Sequence, residues 1–178
     1  MNNIPIISTK LKQMFVISTV FTLGWMVIMS LVIKPLNSKD IVSFELARTP
    51  EVATKIMLEW EEKDLVNNAR KSIYLDFVFL VLYSLSITLG CLVLSAFTGN
   101  HFLIRTGQAL SKIVPFAGLF DGIENLAMLK TFTGEITMQW TAIAYWFASI
   151  KFLIVLCTLL FLFGCLIFGG LRRTLNRQ

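Results

Sequence analysis

Four long apolar stretches constrain this chain more than any other feature. They cover about residues 14–33, 73–97, 114–132 and 139–168. Each is close to or above the roughly 20 residues that a helix needs to cross the hydrocarbon core of a bilayer. Charged residues make up only 15% of the 178 residues, whereas a soluble domain has about 25%. The sequence therefore predicts an all-α integral membrane protein, a four-helix bundle that forms a single membrane domain over residues 1–178.

Basic residues flank these stretches on one side only. They lie before the first stretch, between the second and third, and after the fourth, and no acidic residue accompanies them there. They are Lys10, Lys12, Arg105, Lys112, Arg172, Arg173 and Arg177. Basic flanks stay in the cytoplasm, so we expect four crossings with both termini cytoplasmic. The net charge of +5 then indicates contact with anionic lipid head groups, not with nucleic acid.

The connection between the first two stretches, residues 38–72, carries signals for two short amphipathic helices. Ser38 is a plausible N-cap for a helix that ends near Arg48. Thr49-Pro50-Glu51 is a second start signal, because proline is favoured at the first helical position. The four-residue spacing of apolar residues in this second helix predicts one buried face. That face comprises Val52, Ile56 and Trp60. We expect both helices to lie along the outer membrane surface as a lid.

Lys151 lies in the middle of the fourth stretch, where a cation needs a nearby partner. With a rise of about 1.5 Å per helical residue, Asp121 of the third stretch comes to nearly the same depth. Glu124 and Asn125 share a helix face with Asp121, and Asp76 of the second stretch lies close to that level. The sequence therefore predicts a salt bridge between Lys151 and Asp121 inside a polar cluster in the outer half of the membrane.

Carboxyl groups outnumber amines in this cluster. A single salt bridge leaves Asp76 and Glu124 without a counter-charge. They can be protonated, reach water, or pair with a cationic ligand or with Arg48 or Arg70. Glu45 can add a further acid from the outer connection. The predicted ligand-binding residues are Asp76, Tyr83, Asp121, Glu124, Asn125 and Lys151.

Three functions agree with this cluster. The first is a protein that binds or moves a small lipid-like or cationic molecule, and it predicts a cavity lined by the cluster. The second is a membrane enzyme, an isomerase or hydrolase acting on a lipid, with Glu124 or Asp76 as the acid or base and Lys151 as an electrostatic stabiliser. The third is a structural or partner subunit whose polar clasp fixes the helix register. Enzymatic activity and homo-oligomer formation both stay open, and membrane lipids are the expected partners.

Several familiar chemistries are excluded by missing motifs. One histidine, His101, cannot form an HExxH metal site. Cys91, Cys157 and Cys165 have no CxxC spacing. The chain also lacks a GxSxG nucleophile elbow, a Walker A loop and a GxGxxG loop. The sequence therefore predicts neither a metal nor a cofactor.

Two local patterns carry a resemblance, Leu75-Asp76-Phe77-Val78-Phe79 and Asp121-Gly122-Ile123-Glu124-Asn125. They resemble a group of uncharacterised bacterial four-span membrane proteins with DF-x-F in span two and D-x-x-EN in span three. This resemblance implies a multi-pass protein of the bacterial inner membrane and brings no activity with it. More loosely, the layout is similar to the EXPERA group, which includes sterol isomerases. Its acids line a membrane pocket for cationic or sterol-like ligands, and Asp76 falls roughly where that group has a span-two glutamate.

Overall fold

Six helices account for most of residues 7–175, the part of the chain that the computed structural model describes. They are α1 (Thr9–Val32), α2 (Ser38–Glu45), α3 (Pro50–Glu62), α4 (Val66–Phe97), α5 (His101–Thr131) and α6 (Met138–Leu175). Within this part, α1, α4 and α6 are long and apolar enough to cross a membrane. The all-α prediction is confirmed. The terminal Arg177 used in the topology argument lies outside the described residues.

The third predicted span, residues 114–132, forms the second half of α5. The helix begins at His101, and Asn100 caps its start by accepting from the Phe102 and Leu103 amides at 2.9 and 3.3 Å. α5 is as long as its neighbours, yet it is not among the three candidate membrane helices. Five charged residues interrupt its apolar sequence, namely Arg105, Lys112, Asp121, Glu124 and Lys130. The crossing of a membrane by α5 therefore stays a prediction.

The two short helices between α1 and α4 exist, although their boundaries differ from those predicted. Asn37, not Ser38, is the N-cap of α2, because its side chain accepts from the Lys39 and Asp40 amides at 2.8 and 3.2 Å. Asp40 completes a capping box by accepting from the Asn37 amide at 3.1 Å. α2 ends at Glu45, before Arg48. The second start is confirmed, since Thr49 is the N-cap of α3 and Pro50 its first residue.

The buried face of α3 matches the predicted apolar face only in part, because Trp60 is buried and Ile56 packs partly buried against the core, but Val52 does not. Ala53, Met57 and Trp60 are buried, whereas Val52 is 47% exposed. The indole of Trp60 sets this orientation, because it packs against Phe44 of α2 with ring centroids 5.0 Å apart. We call α2 and α3 together the cover. One apolar core joins the cover to α4, α5 and α6, and its buried members are Leu36, Phe44, Ala47, Ala53, Met57, Trp60, Ala69, Ile73, Ala127, Met128 and Ala144.

α4 is the central helix, because it packs against α1, α5 and α6. α1 contacts it through polar groups: Thr19 and Ser86 share a hydrogen bond of 2.9 Å, and Trp25 Nε1 donates to the Leu75 carbonyl at 3.1 Å. The remaining surface of α1 is largely apolar and exposed.

Two glycines of α5 bring its backbone close to α4. A side chain at Gly118 would overlap Ser84 Oγ, and one at Gly107 would overlap Ser95 Oγ. Ser84 and Ser95 are as far apart along α4 as Gly107 and Gly118 are along α5. The two contacts therefore fix a single antiparallel register between these helices, with small residues at both points of close approach.

The tight turn between α4 and α5 is held by a side chain of α6. Gly99 has a φ of 63°, a left-handed conformation that glycine adopts at little cost. Arg172 Nη1 donates to the Thr98 carbonyl at 2.7 Å. Three helices thus meet at this turn, at the end of the molecule opposite the cover.

Candidate functional site

The amine of Lys151 lies at the centre of three carboxyl groups. Its Nζ donates to Asp121 Oδ1 at 2.6 Å, lies 2.8 Å from Glu124 Oε2 and lies 3.7 Å from Glu45 Oε2. The side chain is only 6% exposed. The predicted salt bridge between Lys151 and Asp121 is therefore confirmed, and two further acids share the same cation.

Helix periodicity explains why these side chains meet. On α6, Lys151 belongs to a stripe with a seven-residue repeat that is buried along its whole length and comprises Ala144, Lys151, Thr158 and Cys165. On α5, Asp121, Glu124 and Asn125 lie within one turn and are 3%, 0% and 1% exposed. Because each set occupies a single helix face, packing α5 against α6 brings the acids to the amine.

Asp76 belongs to the same region through a different partner. Asn125 Nδ2 donates to Asp76 Oδ2 at 2.7 Å. Asp76 lies on α4 and is partly exposed, and its carboxyl group is not in the salt bridge with Lys151. The side-chain amide of Asn125 on α5 therefore links Asp76 of α4 to the cluster.

Tyr83 lies one heptad after Asp76 on α4 and is 7% exposed. Its ring packs against Phe79, with centroids 5.3 Å apart. The hydroxyl is buried and has no hydrogen-bond partner among residues 7–175. Its predicted part in ligand binding stays a prediction.

Glu45, the last residue of α2, is the member of the cluster that comes from the cover. It is 8% exposed. Burial raises the pKa of its carboxyl group above the ordinary value, against the opposing effect of Lys151. The sequence offered it only as an additional acid, because an acid at the end of a short surface helix gives no local sign of burial.

Two of the partners that we considered for the excess acids lie elsewhere. The guanidinium of Arg48 lies over the Tyr145 ring at 5.7 Å, and that of Arg70 lies over the Phe132 ring at 5.9 Å. Within the described residues, every salt bridge is made by Lys151. The three carboxyl groups of Glu45, Asp121 and Glu124 therefore share one cationic side chain, and the carboxyl group of Asp76 pairs with the amide of Asn125.

The cluster is closed in this structure. A groove of about 520 Å³ lies between α4 and α5, and a second cavity of about 320 Å³ lies where α1, α4 and α6 meet. Neither is lined by Asp76, Asp121, Glu124, Asn125 or Lys151. The predicted cavity lined by the cluster is therefore neither of these two, and Asp121, Glu124, Asn125 and Lys151 are each buried.

In residues 7–175, no group of three or more histidine, cysteine, aspartate or glutamate residues is arranged to hold a metal ion. The chain matches no protein-family model, no curated protein and no solved structure. The resemblances to the bacterial four-span group and to the EXPERA group stay predictions.

Proposed function

We propose that the chain is a multi-pass protein of the bacterial inner membrane that binds or moves a small cationic or lipid-like molecule at the cluster around Lys151. In this proposal α1, α4, α5 and α6 form a four-helix membrane bundle, both termini are cytoplasmic, and the cover lies on the outer side. The excess of carboxyl groups over cations at a buried position carries the proposal, since ionisable residues inside a membrane are costly and mark ligand or ion pathways.

The charge balance supports a cationic partner. Asp121 accepts the short hydrogen bond from Lys151, and Asp76 accepts one from Asn125. Glu124 and Glu45 have no second cation. A positively charged ligand would neutralise them, whereas an anionic ligand would add to the repulsion. The exposed apolar surfaces of the long helices also fit a lipid environment.

In this proposal a ligand reaches the cluster around Lys151 by displacing part of the cover. Glu45 contacts Lys151 of α6, and Phe44 and Trp60 both pack against Phe132 at the end of α5. Because Lys151, Asp121 and Glu124 are buried, we expect a ligand to reach them when the end of α2 moves away from Lys151. Short helices that connect longer ones open more readily than the core does, so the cover is the element that we expect to move.

Binding of small amphiphiles to the purified protein in lipid nanodiscs tests this proposal. The panel contains alkyl amines, quaternary ammonium compounds, and neutral and anionic analogues of the same chain length. We expect the cationic members to raise the unfolding temperature of the wild type. Glu124→Gln should weaken their binding about tenfold, equivalent to about 1.4 kcal/mol. The matched control is Glu62→Gln, an exposed acid of the cover. Equal binding of neutral and cationic analogues would contradict the proposal.

The close packing of the cluster favours one alternative, a clasp that only fixes the helix register. Lys151, Asp121 and Glu124 contact one another directly and are nearly inaccessible. In that case a protein with both Asp121→Asn and Lys151→Met should be produced normally, and cells carrying it should show no phenotype. A double variant that folds but no longer binds any cationic amphiphile would exclude the clasp as the whole function.

A further inference from the structure

The acids at the end of the cover and in the middle of α5 meet at one amine. Glu45 Oε2 is 3.7 Å and Glu124 Oε2 is 2.8 Å from Lys151 Nζ. Both carboxyl groups are more than nine-tenths buried. Asp121 already accepts the amine's hydrogen bond at 2.6 Å. Two buried acids therefore lie beside a cation whose charge is balanced by a third.

The hydrogen-bonding of these two acids is incomplete. Apart from their ion pairs with Lys151, Glu45 Oε2 and both oxygens of Glu124 are buried and receive no hydrogen bond from the described residues. An ionised carboxylate can only accept hydrogen bonds, whereas a protonated one also donates. A proton on either group lets the pair form a carboxyl–carboxylate hydrogen bond and removes one of the two repelling charges.

We infer that Glu45 and Glu124 share one proton, and that this proton holds the end of α2 closed over Lys151. The inference rests on the proposed function in treating the cluster as the site, whereas the shared proton is present in the ligand-free protein and does not depend on which ligand binds. It makes the cover a proton-linked gate. Opening the cover moves Glu45 into water and releases the proton, and a cationic ligand that enters takes its place.

The protonation of Glu45 depends on its burial and on the charged groups that face it. These are Lys151 of α6, Asp121 and Glu124 of α5, and Asp76 of α4. Burial raises the pKa of Glu45 when the cover is closed. In the open state its carboxyl group faces water and has an ordinary pKa of about 4.3. The closed state therefore holds more protons, and it is lost as the pH rises through the raised pKa.

Thiol labelling of the cover measures this gate. Ala47 is 2% exposed and lies two residues after Glu45. Ala47→Cys, in a protein whose three native cysteines are replaced by alanine, reacts only when the cover opens. Ser38→Cys, at an exposed position of α2, corrects for ionisation of the thiol. We expect the corrected labelling rate of Ala47→Cys to rise with pH, up to about tenfold per unit.

Substitutions separate the shared proton from a general effect of pH. Glu45→Gln and Glu124→Gln each provide a permanent donor that does not titrate, so we expect either one to abolish the pH dependence of labelling. Glu62→Gln on the exposed side of α3 should keep it. The inference would be overturned if Ala47→Cys, with both Glu45 and Glu124 intact, were labelled with the same pH dependence as the Ser38→Cys control.

Infrared spectra of the protein with its native cysteines provide a second measurement that does not depend on labelling. A protonated carboxyl group absorbs separately from a carboxylate. We expect such a band at neutral pH, and we expect its loss in Glu45→Gln and in Glu124→Gln, because the remaining acid then pairs with Lys151 as an anion. A spectrum that neither substitution changes would count against the shared proton. Failure of the amphiphile panel would leave both measurements unaffected, so the two proposals can fail separately.

Discussion

At the scale of single residues, Lys151 is the one cation in residues 7–175 that forms ion pairs, and three buried acids share it. Its removal leaves Asp121 and Glu124 without their ion-pair partner at positions that are 3% and 0% exposed. An uncompensated buried charge is much more destabilising than the loss of the whole pair. The cost of changing Lys151 therefore depends on which acids remain.

We expect Lys151→Met to lower the free energy of unfolding by about 3–5 kcal/mol, the usual cost of removing one partner of a buried ion pair. Adding Asp121→Asn to Lys151→Met should recover part of that loss, because one unpaired carboxylate is removed with its amine. Reversible unfolding in detergent micelles measures both effects. Lys55→Met, at an exposed position of α3, is the control and should change stability by less than about 0.5 kcal/mol. Equal effects of Lys151→Met and Lys55→Met on the free energy of unfolding would show that the charge of the Lys151 amine does not contribute to stability.

At the scale of helices, the contact between α4 and α5 depends on the absence of side chains at Gly107 and Gly118. A Cβ at Gly118 would overlap Ser84 Oγ and would also lie 3.3 Å from the Leu80 carbonyl oxygen. At Gly122, one turn along, the nearest atom to an added Cβ is Leu80 Cδ2 at 3.8 Å, an ordinary contact. The two glycines of the GxxxG pattern on α5 thus have different roles.

We expect Gly118→Ala to destabilise the protein by about 1–3 kcal/mol, the range for overpacking a close contact. Gly122→Ala should be neutral or slightly stabilising, because alanine is the better helix former and meets no obstruction. Combining Gly118→Ala with Ser84→Ala should restore part of the stability by removing the obstructing hydroxyl. Urea unfolding of the three variants and of the wild type measures these differences. A loss of stability in Gly122→Ala as large as in Gly118→Ala would contradict this account of the helix contact.

Trp60, which is 4% exposed, packs against Phe44 of α2 and against Phe132 at the end of α5, so it joins the two helices of the cover to the rest of the protein. We expect Trp60→Ala to cost about 3–5 kcal/mol locally and to release the cover without unfolding α4, α5 and α6. Hydrogen exchange should then rise over residues 38–62 and stay low in α4. Trp146→Ala, which removes a ring that is 55% exposed, should leave exchange in the cover unchanged. Loss of protection in α4 and in the cover together would show that they unfold as one unit.

At the scale of the whole molecule, the number of membrane crossings depends on whether α5 is one of them. Three helices have the length and composition of membrane spans. α5 is interrupted by charges, yet its most buried acids face Lys151 of α6. Because Asp121 and Glu124 pair with Lys151 inside the bundle, the surface of this half of α5 is largely apolar, and Phe116 and Leu119 are more than half exposed. This pairing explains how a helix of modest hydropathy can lie beside three very apolar ones.

We expect a topology reporter inserted at Gly99 to be cytoplasmic and one inserted at Gly134 to be on the outer side. Both positions are turns with positive φ between long helices, so insertions there disturb little packing. A reporter fused after the last residue should again be cytoplasmic, in agreement with the basic flanks. Dual reporters that are active on opposite sides of the membrane measure each position. Reporters at Gly99 and Gly134 on the same side would show that α5 does not cross.

Local features of the sequence determined the helices of this protein. Long apolar stretches predict α1, α4 and α6 because a helix satisfies its own backbone hydrogen bonds wherever it lies. Thr49 and Pro50 mark the start of α3 because capping involves only neighbouring residues. Even the pairing of Lys151 with Asp121 was predictable, since the constant rise of a helix converts residue number into depth.

The tertiary structure alone decided how these helices meet. It placed Glu45 against Lys151 and turned α3 so that Ala53 and Met57, not Val52, are buried. It also directed Arg48 to an aromatic ring and away from the acids. The orientation of a short helix depends on contacts with residues that are distant in the chain, and periodicity within the helix cannot supply them. The sequence therefore determined which groups are buried at one depth, and packing decided which of them share the amine.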